Sequence, residues 1–129
     1  MNSVQKSPYD QIGGHSAVQS LVDRFYFFMD TLPEAVDVRN MHQQNLSEAK
    51  EKLFKFLSGW LGGPDLFVQE YGHPRLRARH FRFVIGIRER DQWMLCMSKA
   101  LSELPIEHLL RDELHQALYQ LATHMINQE

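Results

Sequence analysis

A break of about 25 residues, from Gly62 to Ile87, interrupts a chain that is otherwise patterned as helix, and it limits the folds open to that chain. Before it, apolar residues recur at helical spacing. From Gly14 to Asp30 they are Ala17, Val18, Leu21, Val22, Phe25, Phe28 and Met29. Ala49, Leu53, Phe56, Leu57 and Trp60 form a second stripe, opened by a capping-box pattern at Asn45-Leu-Ser-Glu48 and stopped by Gly62-Gly63. After the break, Arg88 to Leu104 aligns Trp93, Met94, Met97, Ala100, Leu101 and Leu104, and Ile106 to Asn127 aligns Leu110, Leu114, Ala117, Leu118, Leu121 and Met125. Shorter helical pieces are predicted near 34–41 and 74–80. Strand alternation is essentially missing. The pattern predicts an all-α fold with four helices of useful length.

The break itself carries Gly62-Gly-Pro64, Gly72-His-Pro74 and arginines 75, 77, 79 and 82, with Arg88 just beyond. A connection this long in a small domain is either functional or disordered. Phe67, Tyr71, Phe81 and Phe83 argue for an ordered segment that binds something or is held in place.

Composition narrows the partners. A chain of 129 residues suits a single domain spanning 1–129. Fourteen basic residues against 16 acidic ones give a net charge of −2, which argues against a dedicated nucleic-acid binder. One cysteine, Cys96, excludes a disulfide framework, a cysteine-rich zinc site and covalent c-type haem attachment. No apolar run approaches the ~20 residues of a membrane helix. Met1 to Pro8 lacks the apolar core of a signal peptide and is expected to be a flexible extension. The chain therefore reads as a cytoplasmic protein that binds neither membrane nor nucleic acid.

Seven histidines need sorting. His108, His115 and His124 lack the i, i+4 spacing of a helical metal site and read as surface or helix-end residues. His15 reads as a helix start and His73 as a loop cap or contact, while Cys96 reads as a structural thiol. His80 differs in context, because Leu76-Arg-Ala-Arg-His80-Phe-Arg-Phe83 interleaves apolar and basic residues around it. A lone histidine among apolar neighbours is more often a core or surface residue than a ligand. Here, though, Arg75, Arg77, Arg79 and Arg82 could neutralise an acidic ligand, and a short helix could hold the second ring nitrogen through a backbone carbonyl, as iron-ligating imidazole requires. No phosphate-binding loop or dinucleotide fingerprint is present.

Several blocks, taken in order, resemble the group II truncated haemoglobins. They are Gly13-Gly14, Phe25-Tyr26, Trp60-Leu-Gly-Gly-Pro64, Tyr71-Gly-His-Pro-Arg-Leu-Arg-Ala-Arg-His80 and Glu89-Arg-Asp-Gln-Trp93-Met-Leu-Cys-Met97. The resemblance implies a two-over-two helical sandwich around non-covalent haem b, with a largely extended stretch before the proximal histidine. It implies His80 as the proximal iron ligand, and Tyr26 and Trp93 as polar groups on the distal side. Ala49 matches the position of the distal histidine of other globins, with Leu53 and Phe56 as distal wall. Arg79, with Arg77 and Tyr71, would meet the propionates, and Phe25, Leu76, Phe83 and Met97 would line the porphyrin. At the bend after the short third helix His42 is expected to face the iron, with Met41 as the alternative. His42 there could serve a bound ligand or become the sixth ligand of ferric iron.

The function implied is binding of O₂ and other diatomic ligands (NO, CO) or of peroxide, for NO dioxygenase-like or peroxidase-like chemistry. Such turnover needs an external reductase, since the chain has no flavin or nicotinamide motif. The alternative is an O₂ carrier or store, or a haem-based sensor without catalysis of its own.

Overall fold

The computed structural model describes residues 6–128, and every element in it is helical. Ser7 caps α1 (Pro8–Ile12) by accepting from the Asp10 N–H at 3.2 Å, so the expected extension is ordered at its last two residues, while 1–5 lie outside the described residues. The glycine pair 13–14 then breaks the chain before α2 (His15–Thr31). Along α2, Val18, Leu21, Val22, Phe25, Tyr26 and Met29 are buried at the predicted spacing. The helix stops at Leu32, which is extended because Pro33 follows. A 3₁₀ turn at Pro33–Ala35 leads into α3 (Val36–Asn40).

The helix α4 spans Ser47–Trp60. The expected capping box does not form. Asn45 Oδ1 accepts instead from the Ser47 N–H at 2.8 Å, the local turn that a short amide side chain favours, and Glu48 pairs with Lys52 at 2.9 Å. The far end of α4 is the glycine stop. Gly62 takes φ 93°, the Gly63 N–H reaches Ser58 O at 2.8 Å and the Gly62 N–H reaches Gly59 O at 3.0 Å. Gly63 is needed for another reason, since a Cβ there would clash with the Tyr9 ring.

The break is more helical than expected. The helix α5 (Leu66–Tyr71), which the sequence did not reveal, packs on α4 through Phe56 and Phe67 and through a 2.7 Å pair between Lys55 and Glu70. The helix α6 (Leu76–Arg79) follows, so the stretch before His80 is not largely extended. Helix α7 (Ile87–Ser102) starts with the Glu89 carboxylate reaching back to the Gly86 N–H at 2.7 Å. The last helix, α8 (His108–His124), is shorter than the predicted 106–127. Beyond it Asn127 pairs across the chain. Its N–H donates to Ile85 O, its Oδ1 accepts from the Ile85 N–H at 3.0 Å, and its Nδ2 donates to Phe83 O at 2.9 Å and His80 O at 3.4 Å.

Helix α2 packs against both α4 and α7, and α7 against α8, giving two helix pairs around a core that includes Phe25, Met29, Leu57, Met97, Leu101 and Leu118. Gln92 on α7 ties in α3: its Oε1 accepts from the Asp37 and Val38 N–H groups at 3.0 and 3.1 Å, and its Nε2 donates to Asp37 Oδ2 at 2.8 Å. None of the described helices is long and apolar enough to cross a membrane.

Candidate functional site

A cavity of about 610 Å³ opens between the α2–α4 layer and the α6–α8 side of the fold, within the size range of cofactor sites. Tyr26, His42, Ala49, Leu53, Phe56, Leu76, Arg79, His80, Phe83 and Trp93, all singled out in the sequence, line it. Met41, the alternative to His42, lines it too, since both follow the last turn of α3.

His80 ends α6, and its Nδ1 lies 2.6 Å from Leu76 O. A carbonyl can only accept, so the proton is on Nδ1 and Nε2 keeps its lone pair for a metal. Helix α6 thus supplies the acceptor that a ligating imidazole needs. His42 is held the same way, with Nδ1 donating to Val38 O at 2.8 Å. Burial pushes its pKa below the usual histidine value, so it is neutral, and Nε2 can accept a hydrogen bond but not give one. Arg39 fixes the chain just beyond it, donating to Gln43 O and Gln44 O at 3.0 and 2.9 Å while pairing with Asp30.

Two donors face the same space. The Tyr26 hydroxyl, 5% exposed as a residue, has one long contact, 3.5 Å to Ala49 O, and burial raises its pKa well above the ordinary range, so it stays protonated. Among the described residues, the Trp93 indole N–H meets no acceptor. Phe25 supports both rings edge-on, with centroids 4.8 Å from Tyr26 and 5.0 Å from Trp93. The rim is basic: Lys52, Arg79, Arg82 and Arg90 outnumber Glu48 and Glu89, and each of those acids is already bonded.

Four residues expected at the cofactor are not among those lining the cavity. Phe25 and Met97, both 0% exposed, belong to the core behind it. Tyr71 packs on Phe67 at 4.8 Å, with Lys52 and Lys55 at 5.7 Å. The Arg77 guanidinium donates to His124 O and Ile126 O at 2.8 and 2.7 Å, holding the end of α8. Conversely Arg82, Ile85, Leu121 and Met125 line the cavity without having been singled out as lining it; Leu121 and Met125 carried only the signal of a helical stripe. The remaining histidines have structural partners or end positions. His15 starts α2 edge-on to Phe54, His73 Nδ1 accepts from the Arg75 N–H, His108 pairs with Asp112, His115 bonds Ser98, and His124 ends α8.

No group of three or more ligating side chains that could hold a bare metal ion occurs among the described residues. A porphyrin brings its own equatorial nitrogens and asks the protein for one imidazole, apolar walls and cations for its carboxylates. The cavity offers all three.

The bacterial-like globin family profile matches residues 7–127. A group 2 truncated haemoglobin of Bacillus subtilis is 37% identical over 95% of this chain and 89% of its own length. Among solved structures, a cold-adapted truncated haemoglobin from the Antarctic marine bacterium Pseudoalteromonas haloplanktis is 48% identical, covering 96% of this chain and 100% of the other, with a TM-score of 0.94. A group II two-on-two haemoglobin from Agrobacterium tumefaciens is 44% identical over 100% of both chains, with a TM-score of 0.94. The chain therefore belongs to the bacterial-like globins, as a group II truncated haemoglobin that binds haem non-covalently in the two-on-two fold and takes diatomic gas ligands.

Proposed function

We propose that the protein uses its haem for redox chemistry on O₂ with NO, or on peroxide, in the cytoplasm and with a separate reductase. When bound, haem supplies an iron that takes a diatomic ligand and exchanges single electrons. The observation that carries the reading is the convergence of two donors, Tyr26 O–H and Trp93 N–H, on the cavity that holds His80 Nε2. Both residues line that cavity, and neither donor has a good partner of its own. A hydrogen bond to a charged acceptor contributes ~1.5–3 kcal/mol, and ~1.4 kcal/mol is tenfold in affinity. The pair would therefore slow O₂ release by roughly a hundredfold or more if their contributions add. Slow release suits a reactant better than a cargo.

His42 has a different part. Its protonated nitrogen is committed to Val38 O, so toward the cavity it acts as a base or a ligand. With haem bound, His42 Nε2 rather than the Tyr26 oxygen would be the atom prepared to ligate ferric iron, because burial keeps Tyr26 protonated. Arg79 and Arg82 are the cations for the propionates.

Stopped-flow O₂ dissociation from Trp93→Phe and Tyr26→Phe tests the donors. Each rate should rise about tenfold, and an unchanged rate in both sinks the account. Single-turnover NO consumption by the O₂-loaded protein separates catalysis from carriage or sensing. A ferric spectrum that is high-spin in the wild type and unchanged in His42→Ala rules out the sixth-ligand role.

A further inference from the structure

Sixteen residues, Arg75 to Arg90, hold six arginines and one glutamate, a local charge of +5 in a chain whose net charge is −2. Two of the six are committed inward: Arg77 on the α8 carbonyls, and Arg90, its side chain 12% exposed, on Asp91 and Thr123. Arg79 and Arg82 line the cavity. Arg88 points outward with its side chain 75% exposed, and its nearest acid, Asp37, is 3.8 Å away. Arg75 is exposed as well.

Three apolar side chains lie in the same segment: Phe81, Val84 and Ile87, exposed at 61, 67 and 63%. None of them lines the cavity, whereas Phe83 and Ile85 between them do. The segment thus turns Arg82, Phe83 and Ile85 to the cavity and Phe81, Val84 and Ile87 to the outside. Asn127 pins it at His80, Phe83 and Ile85, so the outer apolar face is held in place rather than free to fold away. Three apolar side chains fixed in the open on one short segment offer a ready contact surface.

From this we infer that the outer face of residues 81–88 is the docking surface for a small acidic one-electron carrier protein. The inference rests on the redox reading of the haem site. A small apolar centre with a cationic rim fits a short-lived complex steered by charge. A second copy of the chain would bring the same outward arginines, Arg75 and Arg88, toward their own counterparts, which disfavours self-pairing. The place also suits electron entry. Phe81 directly follows His80, the Phe83 ring lies 6.3 Å from the His80 ring, and the Arg82 guanidinium sits 4.8 Å over Phe83. In the step itself, the anionic hydroquinone of a carrier flavin gives one electron and becomes the neutral semiquinone while ferric iron becomes ferrous. No bond or proton changes hands.

The test uses the haem-loaded protein with two probes, an acidic flavodoxin and an acidic [2Fe–2S] ferredoxin, titrated calorimetrically. Binding of at least one should weaken about tenfold between about 20 and about 200 mM salt. The double variant Val84→Glu/Arg88→Glu should weaken it by about tenfold again, with reduction by the carrier slowing in parallel. Lys99→Glu, at the far end of α7, should stay within about twofold. Dithionite reduction and CO binding should be the same in every variant. Salt-insensitive binding, an unaffected double variant, or binding to anionic phospholipid vesicles with none to either carrier would overturn the inference. A wild-type protein that binds no CO, yet keeps this pattern of carrier affinity, would overturn the haem reading and leave the docking face standing.

Discussion

Replacing Asn127 by alanine should loosen the segment that carries His80, although position 127 lies 47 residues away in sequence. The substitution removes the bond from Nδ2 to Phe83 O at 2.9 Å and the acceptor of the Ile85 N–H at 3.0 Å. Each such bond contributes roughly 0.5–1.5 kcal/mol net, and an N–H left unpaired in a buried position costs about 1–3 kcal/mol. Ile85 is 8% exposed, so little water can replace the lost acceptor. The 3.4 Å contact to His80 O is too long to add much. Together the losses amount to about 2–3 kcal/mol, or on the order of 6–12 °C in Tm for a chain of this size. Urea unfolding followed by circular dichroism measures the energy, and hydrogen exchange at the Ile85 amide locates it. Haem should also leave the variant faster, because the loop beginning at His80 keeps only the backbone bonds to Ile85 O and has lost its side-chain anchor. If Asn127→Ala unfolds within about 0.5 kcal/mol of wild type and the Ile85 amide exchanges equally fast in both, the residues after α8 fray in solution and the reasoning fails.

Three other outcomes can be checked directly. Gly63→Ala should destabilise by about 1–3 kcal/mol in urea melts, because the new methyl must displace the Tyr9 ring; unchanged stability would mean that the ring moves away freely. His42 binds fewer protons folded than unfolded, since its pKa is lowered, so its contribution to stability is fully present above the ordinary value of 6.5 and is lost as pH falls below it. Urea midpoints at about pH 7.5 and about pH 5 should therefore diverge less in His42→Gln than in wild type, and equal divergence would refute the assignment. Cys96, 0% exposed with its thiol pushed up to about 11, should resist maleimide in the native protein and react on unfolding; rapid native labelling would contradict the buried placement.

What the sequence made legible follows from range. Helices α2, α7 and α8 bury apolar stripes at helical spacing, and α4 turns its half-buried stripe of Ala49, Leu53 and Phe56 to the cavity, a local signal that survives without knowledge of the partner. Helix α5 has six residues between Pro64 and Gly72, too few to show a period, and it is held by contacts to α4. The capping pattern at Asn45 was real as a turn signal but misread in register, because an asparagine can bond either of the next N–H groups. Arg77 and Asn127 take partners more than 40 residues distant, which no local pattern encodes. At the site, periodicity marks an apolar stripe but does not say which side of it meets the core. Phe25 and Met97 were therefore expected at the cofactor and lie behind its cavity. The sequence resemblance places His42 at the bend with Met41 as the alternative for a similar reason. One turn of α3 brings both residues to the cavity wall, and only the bond to Val38 O orients the imidazole.

The Gln92 side chain has a consequence for anyone altering this pocket. It grips the backbone at Asp37 and Val38, Val38 O orients His42, and the next residue along α7 is Trp93. A proton donor and a base thus share one frame. A substitution that rocks α7 to reposition the indole drags the imidazole with it, and their separation is inherited rather than adjustable. Libraries that vary positions 42 and 93 while keeping Gln92 will sample side-chain chemistry at nearly constant geometry. Freeing that amide is the route to changing the geometry itself.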